Sequence, residues 1–113
     1  MKLRLLVFIV AYNAEKTIEQ VLTRIPHSLG EEFEIEVLVI DDASRDRTFE
    51  RGELARRANA LPFSLHVLFN PINQGYGGNQ KIGFHYAIER GFDFVALVHG
   101  DGQYAPERLP ELL

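Results

Sequence analysis

The sequence predicts an α/β fold, a mostly parallel sheet with flanking helices. Three observations predict it. Apolar runs of strand length recur at residues 5–11, 35–40, 64–69 and 94–98. Stretches with helical spacing of apolar residues separate them. Three of the runs are nearly continuous rather than alternating, the pattern of strands covered on both faces. A β-α-β-α-β-α-β order of this kind favours parallel strands joined by right-handed crossovers.

Residues 5–11 are the first expected strand, and Asn13 is the expected N-cap of the helix after it. In that helix Ile18, Val21, Leu22 and Ile25 fall at i, i+3, i+4 and i+7, one apolar stripe. Pro26 ends it, and residues 27–34 read as a polar loop. Residues 35–40 are a second buried strand, stopped by Asp41 and Asp42. Ser44 or Asp46 is the expected cap of a second helix with an inward face of Leu54, Ala55, Ala58 and Leu61. Gly52 weakens its first turns by about 1 kcal/mol relative to alanine, and Pro62 closes it. Residues 64–69 alternate in part (Leu65, Val67, Phe69), which suits a strand nearer an edge. Residues 70–78 read as a Gly/Asn-rich loop. A third helix then carries Ile82, Tyr86 and Ile88, with Gly91 as its C′ residue. Residues 94–98 are the fourth strand, and Pro106 fits the first turn of a last helix.

A length of 113 residues suits one domain. The chain is 46% hydrophobic and 25% charged, an ordinary globular composition. A net charge of −4 without a basic run argues against nucleic-acid binding. The absence of cysteine excludes disulfides and cysteine metal sites. The first residues superficially resemble a signal peptide. However, Tyr12 to Lys16 turn polar and helix-forming with no small-residue cleavage site, so a first strand is the better reading. No apolar run approaches the ~20 residues needed to span a bilayer, and a soluble cytoplasmic chain is the expectation.

Three polar features follow strands: Ala11-Tyr12-Asn13, Asp41-Asp42-Ala43-Ser44 and His99-Gly100-Asp101-Gly102-Gln103. In a parallel sheet these ends point the same way and can share one crevice. The glycines beside Asp101 let backbone approach whatever it holds. Asp101 with the Gln103 amide oxygen offers hard donors suited to Mg²⁺ or Mn²⁺ on a phosphate; a tight turn with a solvated Asp is the other reading. Asp42 is expected to face a ligand, accepting from a base N–H or a ribose hydroxyl, and Asp41 to serve the turn. Tyr12 either covers a flat base or is a strand-end aromatic. Glycines 75, 77 and 78 precede a helix and suit close approach to phosphate, to which Lys81 adds a cation unless it is simply solvated. This segment is neither a dinucleotide fingerprint nor a P-loop. His99 is read as a neighbour of the metal site rather than a ligand.

Taken together, Val10-Ala11-Tyr12-Asn13-Ala14-Glu15, Val39-Ile40-Asp41-Asp42-Ala43-Ser44, Asn73-x-Gly75-x-Gly77 with Gly83, and Asp101-Gly102-Gln103-Tyr104-Ala105-Pro106-Glu107 resemble the family 2 glycosyltransferases. These are inverting nucleotide-sugar enzymes of GT-A, Rossmann-like fold. The nearest likeness is to the dolichol- or polyprenyl-phosphate sugar synthases. The resemblance implies a UDP- or GDP-sugar donor, a polyprenyl phosphate or saccharide acceptor, and a divalent metal, Mg²⁺ or Mn²⁺. It implies that Ala11, Tyr12 and Asp42 hold base and ribose, and that Asp101, assisted by Gln103, binds the metal. Asn13, Glu15, Lys81 and Gly100 complete the expected nucleotide contacts. His99 stands where the first acid of the family's D-x-D motif would be.

Family members run well beyond this motif, so residues 1–113 are expected to be the nucleotide-binding half of a longer protein. The catalytic base would lie in the other half, and this half alone would be inactive. Peripheral membrane association at the inner face is expected of the longer protein. Self-association is expected where a half domain leaves apolar surface. Three other readings compete. A Mg²⁺-binding receiver domain has acidic strand ends too, but here the acidic pair follows strand two. A dinucleotide-binding domain lacks its fingerprint. A non-catalytic nucleotide-binding or interaction module derived from the transferase fold would accommodate His99.

Overall fold

A computed structural model of the chain describes residues 2–101 together with Pro106 and Leu109. Four strands, β1 (Leu3–Ala11), β2 (Phe33–Asp41), β3 (Ser64–Phe69) and β4 (Phe94–His99), form one sheet in the order β3-β2-β1-β4. All pairings are parallel. β1 meets β2 from Leu3 opposite Phe33 to Ala11 opposite Asp41, and meets β4 from Leu5 opposite Phe94 to Val10 opposite His99. The helices are α1 (Ile18–Thr23), a single turn α2 (Leu29–Glu32), α3 (Thr48–Arg57) and α4 (Gly75–Glu89). The predicted class and parallel sheet are therefore present.

Strand pleating sends alternate residues to opposite faces. Leu5, Val7 and Ile9 of β1 pack with Ile18, Val21, Leu22 and Ile25 on the side of α1 and α3. Leu6, Phe8 and Val10 pack with Leu38, Ile40 and Ala87 on the side of α4. This division follows from topology. The steps β1 to β2 and β2 to β3 move one way across the sheet, whereas β3 to β4 crosses back past β1. Right-handed crossovers then put the returning helix on the other face. With both faces covered, β1 is buried from Leu5 onward, which explains its unbroken apolar run.

Several local expectations differ from the structure. Asn13 does not cap α1. It has φ +50, and Thr17 occupies the N-cap. The stretch 27–34 contains α2 and the start of β2. In α3 the buried residues are Thr48, Gly52 and Ala55, while Leu54 is exposed and so is Ala58. Gly52 sits there because a Cβ would lie 3.2 Å from Val67 Cγ1. The longest difference is α4, which begins at Gly75 inside the expected loop. Its inward stripe is Asn79, Gly83 and Ala87, not Ile82 and Ile88. Small residues face inward because the helix lies directly on the Phe8 ring. Gly91, at φ +72, does follow the helix as expected.

Candidate functional site

The parallel register brings the ends of β1, β2 and β4 level with one another. The ladder runs one residue past each strand. Asp42 N donates to Ala11 O (2.9 Å), Gly100 N to Val10 O (2.8 Å) and Asn70 N to Asp41 O (2.8 Å). Ala11, Asp42 and Gly100 thus stand side by side. Gly100 is packed so closely that a Cβ would sit 3.1 Å from Ala11 Cβ and 3.2 Å from Val10 O. Its carbonyl accepts from Thr17 Oγ1 at 2.7 Å, tying the β4 end to the start of α1.

Beside these ends opens a cleft of about 360 Å³, within the size range of small-molecule sites. β1 contributes Val10, Ala11 and Tyr12, β2 the following Asp42, and β4 His99, Gly100 and Asp101. The remaining wall is the start of α4, through Asn73, Gly75, Tyr76 and Asn79. The N-terminal end of this helix carries partial positive charge toward the cleft.

Asp42 is 5% exposed. Its Oδ1 accepts from Gln74 N (2.8 Å) and Asn70 Nδ2 (3.0 Å), and its carbonyl from Asn73 Nδ2 (3.1 Å). Buried Asn79 completes the support. Its Oδ1 accepts from Asn70 Nδ2 (3.2 Å) and its Nδ2 donates to Ile40 O (3.2 Å). On the other wall the Tyr76 and His99 rings lie nearly parallel, 7° apart with centroids at 5.3 Å. The Tyr76 hydroxyl meets His99 Nε2 at 3.0 Å.

The loop after β1 is held from behind by the loop after β2. Asn13 N donates to Ser44 Oγ (2.8 Å), Ala14 N to Thr48 Oγ1 (2.7 Å) and Glu15 N to Asp46 Oδ2 (3.2 Å). Asn13 Oδ1 accepts from Arg45 N at 3.0 Å. The Ser44 hydroxyl donates to Asp41 Oδ1, and the Thr48 hydroxyl to Asp46 Oδ1. Asp46 also accepts Thr48 N at 3.0 Å, so it serves the start of α3 as expected. Burial pushes the Asp41 carboxyl above its ordinary range despite the bonds from Ser44. Its Oδ2 is buried with no hydrogen-bond partner among the described residues. Asp46 behaves oppositely. Burial would raise it, but the bonds from Thr48 and Glu15 outweigh that and hold it low.

Of the residues singled out from sequence, Ala11, Tyr12, Asp42, Gly100 and Asp101 line the cleft. Asn13 and Glu15 do not line it and serve the loop behind it. Lys81 lies on an exposed position of α4 away from the lining. Gln103 lies outside the described residues. Sequence reasoning missed Asn70, Asn73, Tyr76 and Asn79. The available signal was three asparagines crowded into one glycine-rich stretch before Gly83 and Ala87.

The cleft lining carries two carboxylates, Asp42 and Asp101, and no lysine or arginine among the described residues. A diphosphate entering it would meet like charge, which a divalent cation would offset. Carboxylate oxygens suit Mg²⁺ or Mn²⁺, which use one or two carboxylates plus phosphate oxygens and water. Among the described residues no cluster of three His, Asp or Glu side chains forms a complete protein cage. The donor set therefore fits a cation shared with a bound phosphate, with Asp101 as its holder.

The model of glycosyl transferase family 2 matches residues 6–113. The chain belongs to glycosyl transferase family 2. An undecaprenyl-phosphate mannosyltransferase from Micrococcus luteus is 37% identical over 111 residues, covering 98% of this chain and 43% of that protein. A polyprenol monophosphomannose synthase from Mycolicibacterium smegmatis is 33% identical over 111 residues, covering 97% and 40%. This family 2 chain thus spans less than half the length of these curated relatives. The structure of S. aureus TarS 1-349 in complex with UDP-GlcNAc superposes with a TM-score of 0.72 at 26% identity, over 96% of this chain and 29% of that one. The UDP complex gives 0.69 at 27% identity, over 97% and 31%. The expected GT-A arrangement and family are both borne out. No helix among the described residues is long and apolar enough to cross a membrane.

Proposed function

We propose that this chain forms the donor half of an inverting glycosyltransferase that passes a sugar from a UDP- or GDP-sugar to a polyprenyl phosphate. The observation that carries this reading is the single cleft in which Tyr12, Asp42, Gly100 and Asp101 meet beside the start of α4. Tyr12 offers a half-exposed ring for the base. Asp42 has Oδ1 committed to protein donors, leaving Oδ2 as the acceptor for a base N–H or ribose hydroxyl. Asp101 would hold Mg²⁺ or Mn²⁺ on the diphosphate. A bound divalent cation supplies charge stabilisation to a departing diphosphate. The chain's own residues bind and orient the donor so that its anomeric carbon faces the acceptor.

The two relatives whose names specify undecaprenyl phosphate or a polyprenol monophosphate product support a lipid-phosphate acceptor over a saccharide. Such an acceptor would place the whole protein against the cytoplasmic face of a membrane. A non-catalytic nucleotide-binding module is the second reading, favoured by one observation. The position of a first acid is held by His99, whose Nε2 meets a phenol.

Calorimetric titration with UDP and GDP, each with and without Mn²⁺, tests the donor site. Binding that requires Mn²⁺ and disappears in Asp101→Ala, with unchanged thermal unfolding, is the expected result. Binding of neither nucleotide, or binding indifferent to both Mn²⁺ and Asp101, overturns the proposal.

A further inference from the structure

Three consecutive amides after β1, those of Asn13, Ala14 and Glu15, each donate to a side-chain oxygen of the loop after β2. Two of those oxygens are hydroxyls, and each hydroxyl donates its own proton to a carboxylate. Ser44 gives its proton to Asp41, and Thr48 gives its proton to Asp46. A hydroxyl rotor is normally free to turn. Here the carboxylate takes the proton, so an oxygen lone pair is left aimed at the incoming amide. The same couple is built twice, one residue apart along the captured strand.

The residue just before these amides is Tyr12, 51% exposed and lining the cleft. A half-exposed ring is located chiefly by the backbone that bears it. That backbone turns sharply at Asn13, which has φ +50, a conformation uncommon outside glycine. The turn is clamped at both ends, by Asn13 N on Ser44 Oγ and by Arg45 N on Asn13 Oδ1. We infer that Ser44 and Thr48, each polarised by its carboxylate partner, are positioning residues that set Tyr12 over the nucleotide base. The inference rests on the donor-site reading but adds residues that do not themselves line the cleft. It also gives Asp41 a task suited to a buried side chain, that of orienting a hydroxyl rather than touching ligand. Uridine should feel the loss of either hydroxyl, and the diphosphate half of the donor should not.

The test pairs amide hydrogen exchange with ligand titration in the 113-residue chain. The variants are Ser44→Ala, Ser44→Thr, Thr48→Val and Thr48→Ser. Ser44→Ala is the milder lesion, because Thr48→Val strands the buried Ala14 amide. Expected are a roughly tenfold faster exchange of the Asn13 amide in Ser44→Ala and of the Ala14 amide in Thr48→Val. Uridine affinity should fall about fivefold, the worth of one net hydrogen bond, with Mn²⁺-pyrophosphate affinity unchanged. Ser44→Thr and Thr48→Ser, which keep the hydroxyl, should restore both readouts. Unchanged exchange in Ser44→Ala, or an equal loss for uridine and Mn²⁺-pyrophosphate, overturns the inference while leaving the donor site standing. A wild-type chain that binds neither ligand overturns the donor-site reading and the inference with it.

Discussion

Replacing Gly83 by alanine adds one methyl group where helix α4 crosses strand β1. An ideal Cβ there lies 2.1 Å from Phe8 Cε2, 2.2 Å from Cζ and 2.5 Å from Cδ2. The Phe8 ring is fully buried and set edge-on to Phe84, with centroids 6.2 Å apart at 76°. It cannot swing aside without displacing other core side chains, so the helix must lift. Overpacking of this kind costs about 1–3 kcal/mol, and a contact this short belongs at the upper end. Alanine returns about 1 kcal/mol of helix propensity. The net destabilisation is about 2 kcal/mol, which lowers Tm by about 8 °C in a chain of this size. Thermal unfolding followed by far-UV circular dichroism measures it. Gly77 of the same helix is the control, because a Cβ there meets nothing within 4 Å. Gly77→Ala should raise stability by up to about 1 kcal/mol. Shortening the ring should relieve the clash, so Phe8→Leu and Gly83→Ala should couple favourably by about 1 kcal/mol in a double-mutant cycle. A Gly83→Ala chain that melts at or above wild type would refute the packing argument.

Other perturbations read the site. Asn79→Ala removes the support of Asn70 and leaves Ile40 O unpaired; it should cost about 1–3 kcal/mol by urea unfolding and weaken UDP binding through Asp42. Lys81→Ala should leave UDP affinity within error in a calorimetric titration, because Lys81 is exposed and outside the cleft lining. The two loop carboxylates should give opposite pH signatures in urea unfolding between pH 3 and 7. Asp46 has a folded pKa below 3.8, so its contribution is present above 3.8 and is lost as pH falls through the lower folded value; Asp46→Asn should abolish that loss. Asp41 has a folded pKa above 3.8, so its contribution is full below 3.8 and fades as pH rises through the folded value. The cost of Asp41→Asn should therefore be larger near pH 4 than at pH 7.

The strands and the cleft edge were legible because β1, β2 and the inner face of β4 are apolar and their ends are abruptly polar. Burial and chemistry change at the same residue, as at Ile40 to Asp42. What stayed hidden depends on contacts far apart in sequence. Asn13 looks like a cap because capping is a local rule, yet its partners, Ser44 and Arg45, are 31 and 32 residues away. Helix α4 was placed too late because Gly75, Gly77 and Gly78 have poor helix propensity, which the packing of Asn79 and Gly83 on the sheet overrides. Its inward face was misread because close approach to Phe8 selects small residues. The apolar Ile82 and Ile88 are left outward, 37% and 78% exposed.

The location of the cleft follows from the same reversal that divides the helices. After β1 the chain steps toward β2 and β3, and only later returns to place β4 on the other side of β1. At the β1–β4 border the connections therefore leave in opposite directions, and a crevice opens at the strand ends. One wall is the loop carrying Tyr12, pinned by Ser44 and Thr48. The other is the start of α4, whose height above the sheet is set by a glycine on a phenylalanine ring. Asp42 is bonded to Gln74 and Asn70 of that second side, yet it continues the strand whose next loop pins the first. A change in the height of α4 would thus reach the Asp42 carboxylate directly and Tyr12 only through β2. UDP binding by Gly83→Ala should accordingly lose more from the Asp42 contact than from the base stack. Uridine and 3-methyluridine, which differ in the base N–H that Asp42 would accept, should then be less well distinguished by the variant than by wild type. Equal discrimination by both would show that the two walls are not joined in this way.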